Sequence, residues 1–143
     1  MSKYKDTIYA LSTPTGRSAI AVIRISGNQS LNTLKKISSI KTIIPNKTKL
    51  TLLKFEKQII DLVLVVFFKK PHSFTGEEMV EINCHGSTAI IDALLKELGK
   101  IKGLRPAKQG EFTKQAYLNG KMNLLQVEGL SSLIQAETEA QRE

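Results

Sequence analysis

The chain has 143 residues, a hydrophobic fraction of 41%, a charged fraction of 24% and a formal net charge of +8. This length suits one ordinary domain, and no apolar run approaches the roughly 20 residues that cross a bilayer. A single cysteine, Cys84, excludes an internal disulfide, and two histidines, His72 and His85, make a metal site a poor expectation. Because no apolar signal core follows the N-terminus, the sequence predicts a cytoplasmic protein.

The positive charge lies in the first half of the chain. Residues 1–70 carry 13 Lys/Arg and 3 Asp/Glu, whereas residues 71–143 carry 8 and 10. A basic half can attract phosphate backbones, with an affinity that depends on salt. Aromatic residues that would stack on bases are sparse among these lysines. The sequence alone therefore favours a solvated basic surface over direct RNA binding by this chain.

The first half of the chain has the apolar patterns of four strands and one short helix. The predicted strands are residues 6–11, 19–26, 48–55 and 59–68. A turn-rich segment, residues 12–17, separates the first two. Residues 30–40 predict a helix, because apolar residues recur at helical spacing after Ser30, which we interpret as its N-cap.

The second half predicts one more strand and a longer helix. Residues 78–84 form the strand, which follows a polar loop at residues 71–76. Residues 87–98 keep apolar side chains on one face and predict a helix that ends at Gly99. The order β-β-α-β-β-β-α predicts an α+β domain in which helices pack on a mixed sheet.

The last third changes character. Residues 111–118 are compatible with a short helix, and Asn119-Gly120 indicates a turn. Asn123 and Gln126 match a capping box at the start of another helix. The apolar stripe of that helix consists of Leu124, Val127, Leu130, Leu133 and Ile134. Such a stripe needs a partner: its own sheet, a larger helical domain or a second subunit.

Two familiar kinds of site are missing from the sequence. Gly99-Lys100 and Gly120-Lys121 are not followed by Ser or Thr, so neither forms a phosphate-binding loop for GTP or ATP. Cys84 and His85 are neighbours on a predicted strand, so they point to opposite faces and cannot act as a nucleophile pair. We therefore assign no catalytic residue.

Three charged residues are candidates for binding. Arg24 interrupts a mostly apolar strand face, which is costly unless an anion meets the guanidinium or the side chain reaches water. Glu81 shares a strand face with Asn83. A carboxylate and an amide side by side either recognise the N–H donors of a flat heterocycle or form the solvent-exposed face of an edge strand. Lys121 follows the Asn-Gly turn, where it contacts an anionic tail or stays solvated.

Several segments together resemble the N-terminal region of the tRNA-modification GTPase family called MnmE or TrmE. The matching segments are residues 6–8 (DTI), 13–17 (TPTGR), 22–27 (VIRISG), 73–78 (SFTGEE), 81–86 (EINCHG), 110–113 (GEFT) and 118–121 (LNGK). They follow the family order across nearly the whole chain. The chain departs from the family pattern at Lys108-Gln109, at Gln115 and Tyr117, and at Ser87.

The resemblance implies a folate-binding homodimer similar in fold to the tetrahydrofolate-binding domain of the glycine-cleavage T-protein. In the family, a 5-formyl- or 5,10-methylene-tetrahydrofolate supplies one carbon to C5 of the wobble uridine of certain tRNAs. The family's folate contacts fall on Arg24, Glu81 and Lys121. Glu81 would accept from pterin N–H groups, whereas Arg24 and Lys121 would meet carbonyl or carboxylate oxygens.

The resemblance also implies a division of the chain and a set of partners. Residues 1–120 would form the folate-binding and dimerisation domain, and residues 121–143 the first helix of a truncated helical domain. The family acts on tRNA with the FAD-dependent protein MnmG (GidA), and its GTPase domain uses GTP, magnesium and potassium. Without that domain, this chain is expected to be inactive alone. The alternatives are a self-contained folate-dependent one-carbon transferase, with Glu81 as its acid or base, and a tRNA-docking module without folate.

Overall fold

The computed structural model describes residues 6–12, 19–123, 125–126 and 129. Within them the chain forms a mixed six-stranded sheet and three helices, which confirms the α+β prediction. The strands are β1 Thr7–Leu11, β2 Ile20–Ser26, β3 Lys49–Phe55, β4 Gln58–Phe68, β5 Met79–His85 and β6 Leu104–Pro106. The helices are α1 Ser30–Ile37, α2 Thr88–Leu98 and α3 Glu111–Leu118.

The spatial order of the strands is β3-β4-β5-β2-β1-β6. All neighbours are antiparallel except β1 and β6, which are parallel. Strand β5 therefore lies next to β2, although a helix and two strands separate them in the chain. In this register Arg24 of β2 lies directly opposite Glu81 of β5.

The two faces of the sheet differ in character. On one face Ile23, Ile25 and Ile82 are fully buried against the helices, with Leu34 of α1 and Leu94 of α2 in the same core. Burying one such side chain stabilises the fold by about 1.5 to 3 kcal/mol. Because successive strand residues alternate, Arg24 and Glu81 point to the opposite face, away from α1 and α2.

The strand that carries Glu81 also confirms the separation of Cys84 from His85. Cys84 is buried on the helix side, where desolvation and the nearby Asp61 charge raise the pKa of its thiol. His85 is exposed, and its ring Nδ1 lies 2.7 Å from Asp61 Oδ1. The thiol is thus a packing group, and the imidazole does not contact it.

The prediction that Ser30 caps the first helix is wrong. Gln29 precedes the helix without a side-chain cap, and Ser30 is its first residue, with a buried hydroxyl. The Gln29 backbone N–H instead donates to Thr7 Oγ1 at 2.9 Å. The acceptor at the start of α1 therefore comes from β1, a tertiary contact that local sequence does not indicate.

The predicted end of the same helix, at residue 40, is also wrong. The helix ends at Ile37, because the Ser38 backbone becomes extended and forms an isolated antiparallel bridge with Leu53. The Ser38 hydroxyl donates back to the Leu34 carbonyl at 2.6 Å. Strand pairing and this side-chain bond replace the last helical turn.

The capping box at the end of the described chain is confirmed. The Asn123 N–H donates to Gln126 Oε1 and the Gln126 N–H donates to Asn123 Oδ1, each at 2.8 Å. The apolar stripe predicted after it lies outside the described residues, which in this region are only 125–126 and 129. The predicted turn beyond Ser12 also lies outside the described residues. Over the described residues, no helix combines the length and apolarity needed to cross a membrane.

Helix α3 is held at its first residue by a cluster of ion pairs. Arg105, on β6, donates from Nη1 and Nη2 to the two carboxylate oxygens of Glu111 and from Nε to Asp6. Glu111 Oε1 also accepts the backbone N–H of Lys108. The hydrogen bonds from Arg105 lower the pKa of the Glu111 carboxyl. The hydrogen bonds to Glu111 and Asp6 in turn raise the pKa of the Arg105 guanidinium.

We expect Glu111→Gln to lower the free energy of unfolding by about 1 to 3 kcal/mol at pH 7, since it removes a charged, two-pronged hydrogen-bonded pair. Because the pKa of Glu111 is lowered on folding, its contribution is full above the ordinary carboxyl pKa and is lost as the pH falls below it. Urea unfolding at pH 7 and pH 3 measures the difference.

The matched control is Glu97→Gln. It removes the exposed ion pair between Glu97 on α2 and Lys100, which follows the helix. We expect it to change stability by less than about 1 kcal/mol at either pH. If the free energies of unfolding of Glu111→Gln and wild type differ by the same amount at both pH values, the ionised pair does not stabilise α3 as described.

Candidate functional site

The centre of the site is an ion pair between adjacent strands. Arg24 donates to Glu81 Oε2 from Nε at 3.1 Å and from Nη2 at 2.8 Å. The two side chains are only 22% and 23% exposed. A charge at this depth is costly without a partner, so each residue stabilises the other's position. The anion that Arg24 needs thus comes from the chain itself.

Two aromatic rings bracket the guanidinium. The Arg24 Cζ lies 5.1 Å from the centre of the Phe74 ring and 5.7 Å from that of Phe112. Phe74 belongs to the loop before β5, and Phe112 lies on the first turn of α3. Because a cation over an aromatic face is attracted to it, both rings help to fix the guanidinium.

The loop that carries Phe74 is tied down on both sides. Thr75 is fully buried, and its hydroxyl lies 2.7 Å from that of Ser26 on β2. The Asn119 side-chain amide, just after α3, donates to the Thr75 carbonyl at 2.8 Å. Gly76 has a positive φ of 80°, and a Cβ there would lie 2.8 Å from that of Asn119. Only glycine therefore allows the loop and the end of α3 to meet this closely.

Lys121 follows the turn at the end of α3. Its backbone N–H donates to the Ala116 carbonyl at 2.8 Å, and Gly120 has a positive φ of 75°. The side chain lines a cleft of about 430 Å³ together with Glu81. The other lining residues are Asn46, Phe68, His72, Ser73, Phe74 and Met79. We call this space the Glu81 cleft.

A second cleft, of about 450 Å³, shares Phe74 with the first. Arg24 and Phe112 line it with the end of β1 and residues 107–110. The structure therefore brings Glu81 and Lys121 into one cleft and Arg24 into its neighbour, with the Phe74 ring common to both. The Arg24–Glu81 ion pair connects the two.

The Glu81 cleft has the chemistry of a site for a planar polar ligand. Both bonds from Arg24 go to Glu81 Oε2, and within the described part of the chain no donor is found for Oε1. The volume lies in the usual range for small-molecule sites, and aromatic walls suit a flat ring. A search of the described residues finds no cluster of His, Cys, Asp or Glu fit to hold a metal ion.

Sequence patterns identified the charged residues of this site but not its aromatic and amide supports. Phe74, Phe112 and Asn119 lie in segments that carried the family resemblance, yet no role was predicted for them. Arg105, which holds α3, was not singled out at all. The partners of Phe74, Phe112 and Asn119 lie 44 to 88 positions away in the chain, and Asp6 lies 99 positions from Arg105, so no local spacing indicates these contacts.

Comparison with known proteins gives a consistent result. Residues 7–121 match the family described as GTP-binding protein TrmE N-terminus. The chain is 47% identical over 139 residues to the tRNA modification GTPase MnmE of Parvibaculum lavamentivorans, covering 96% of this chain and 32% of that protein. It is 45% identical over 142 residues to the protein of the same name from a Wolbachia strain, covering 99% and 32%.

A mitochondrial protein is equally similar. The 5-taurinomethyluridine tRNA synthase subunit GTPB3 of Rattus norvegicus is 47% identical over 140 residues, covering 96% of this chain and 28% of that protein. The chain thus spans about a third of the length of the curated relatives it matches. With a family match over most of its length, this chain belongs to the family of the TrmE N-terminus.

Proposed function

We propose that this chain is the tetrahydrofolate-binding and dimerisation domain of a tRNA-modification GTPase. The observation that carries the proposal is the Glu81 cleft, which Glu81 lines together with Phe68, Phe74 and Lys121, while the second oxygen of its carboxylate has no donor among the described residues. A reduced pterin presents N–H donors on a flat ring, and its glutamate tail is anionic. The proposal includes similarity to the folate-binding fold of the glycine-cleavage T-protein.

Each charged residue has a distinct role in this proposal. Glu81 Oε1 accepts from pterin N–H groups, and Lys121 meets the carboxylates of the tail. Arg24 uses Nε and Nη2 to orient Glu81, which leaves Nη1 for a carbonyl or carboxylate oxygen in the second cleft. A bound 5-formyl- or 5,10-methylene-tetrahydrofolate would supply one carbon, destined for C5 of a wobble uridine.

A self-contained one-carbon transferase is less well supported. Such an enzyme needs a positioned general acid or base near the folate. Glu81 is the carboxylate of the cleft, and its Oε2 is held by two bonds from the Arg24 guanidinium. The carboxylate thus already serves the ion pair that fixes Arg24. Chemistry on tRNA would instead use the FAD-dependent partner MnmG.

Dimerisation is the second part of the proposal. The face of the sheet that carries Glu81 continues into an apolar patch of Ile20, Leu50, Leu62 and Leu64, which are 43% to 59% exposed. We call these four residues the apolar patch. Large exposed apolar surfaces mark association sites, and a second copy of the chain would cover this one.

Calorimetric titration with 5-formyl-tetrahydrofolate tests the binding site. We expect Glu81→Gln and Lys121→Gln each to weaken binding about tenfold or more, because each removes a charge-assisted bond. The matched controls, Glu97→Gln and Lys114→Gln, change the same residue types outside the cleft and should bind like wild type. Equal binding by all four variants would place the folate elsewhere.

Sedimentation or light scattering tests the dimer. We expect a species of about twice the 15.9 kDa chain mass, and Leu64→Lys should convert it to monomer by placing a charge in the apolar patch. Ile44→Lys, at a more exposed apolar residue of the loop before β3, is the control. A wild-type chain that remains at 15.9 kDa at high concentration contradicts this part of the proposal.

A GTP hydrolysis assay tests the absence of a phosphate-binding loop from this sequence. We expect background phosphate release from the 143-residue chain with magnesium and potassium present, since Gly99-Lys100 and Gly120-Lys121 lack the following Ser or Thr. Turnover above a no-protein control would overturn the motif argument.

A further inference from the structure

A third cleft, of about 420 Å³, continues the second one around the start of α3. The two share Lys108, Gln109 and Gly110, the residues that lead into the helix. The second cleft in turn shares Phe74 with the Glu81 cleft. Each of the three is by itself as large as an ordinary small-molecule site. We call the second and third clefts together the α3 path, which adjoins the Glu81 cleft.

The α3 path keeps unneutralised positive charge after its ion pairs are counted. Asp6 and Glu111, the carboxylates that line it, both accept hydrogen bonds from Arg105. Lys108 and Lys114 also line the path, and both are exposed. Within the described residues, neither lysine forms an ion pair with a carboxylate. The path therefore offers two cations to an anionic ligand.

The cations of the path follow one another away from the Glu81 cleft. Arg24 lines the second cleft, and its Nη1 is not used in the two bonds to Glu81. Lys108 lines both the second and the third cleft, whereas Lys114 lines the third alone. A ligand that extends from the Glu81 cleft along the path thus meets a guanidinium, then one lysine and then another.

We propose that the α3 path binds the γ-linked glutamate tail of a polyglutamylated tetrahydrofolate. Each γ-linked glutamate adds one carboxylate to an extended chain, so the anions of such a tail are spaced along it as the cations are spaced along the path. Lysines are flexible point charges that can follow a flexible tail. This inference rests on the proposed function, because the pterin must occupy the Glu81 cleft for its tail to enter the path.

The length of the tail decides which lysines take part. In the proposed function the first glutamate lies at Lys121, which lines the Glu81 cleft. Lys108 and Lys114 do not line that cleft, so a folate with a single glutamate leaves them unused. Only further glutamates, extending past Phe74, bring carboxylates to them. The affinity for folate therefore depends on tail length, and these two lysines carry the dependence.

Calorimetric titration with 5-formyl-tetrahydrofolate carrying one or three glutamates tests the inference. We expect wild type to bind the triglutamate about tenfold more tightly at low salt, since two exposed charge pairs each contribute a few-fold. The variant K108Q/K114Q should lose this gain and still bind the monoglutamate like wild type. Unchanged monoglutamate affinity also shows that the variant is folded.

The matched control is K96Q/K102Q, which removes the same charge from exposed lysines that line none of the three clefts. We expect it to keep the tenfold gain. The charge-conserving variant K108R/K114R should keep it too. Raising the salt to about 1 M should reduce the gain in wild type, because exposed charges are then screened within a few ångströms.

Failure of this inference differs from failure of the proposed function. If wild type binds both ligands equally, or if K108Q/K114Q and K96Q/K102Q lose the gain alike, the tail contact is overturned while the folate site stands. If wild type binds neither ligand, the folate site itself is overturned. If a tri-γ-glutamate peptide without the pterin binds as tightly as the triglutamate folate, the path recognises the anion alone and the inference fails.

Discussion

The register between β2 and β5 is the constraint on which the site depends. It places Arg24 opposite Glu81, and it is fixed by Ile23, Ile25 and Ile82, which alternate with them and fill the core. A slip by one residue would turn the isoleucines toward water and the guanidinium into the helix layer. The hydrophobic core thus selects the one pairing in which the two charges meet on the accessible face.

Helix α3 adds the second level of organisation. It provides Phe112 beside the Arg24 guanidinium, Asn119 against the Thr75 carbonyl, and the turn that leads to Lys121. Its first residue, Glu111, is joined to Arg105 on the edge strand β6. Because the same helix supports both clefts, the stability of that ion pair and the geometry of the binding site are coupled.

The face of the sheet opposite α1 and α2 carries the surfaces proposed to bind a ligand and a second copy of the chain. The Glu81 cleft lies at the end of the sheet where β4 ends and β5 begins, and the apolar patch continues along the same face. A ligand and a second copy of the chain would thus meet on one side of the domain.

The sequence by itself determined the α+β class, nearly all strand and helix boundaries, the capping box at Asn123, and the three charged candidates, because these depend on local periodicity and residue chemistry. It did not determine the acceptor at the start of α1, which is Thr7, or the end of α1, which depends on Leu53. Nor did it determine the three-residue strand β6, which is too short to show a pattern. It also left open whether Arg24 met an anion or water. Only the tertiary structure decided that, since strand order brings together residues 57 positions apart, and no local pattern encodes such a contact.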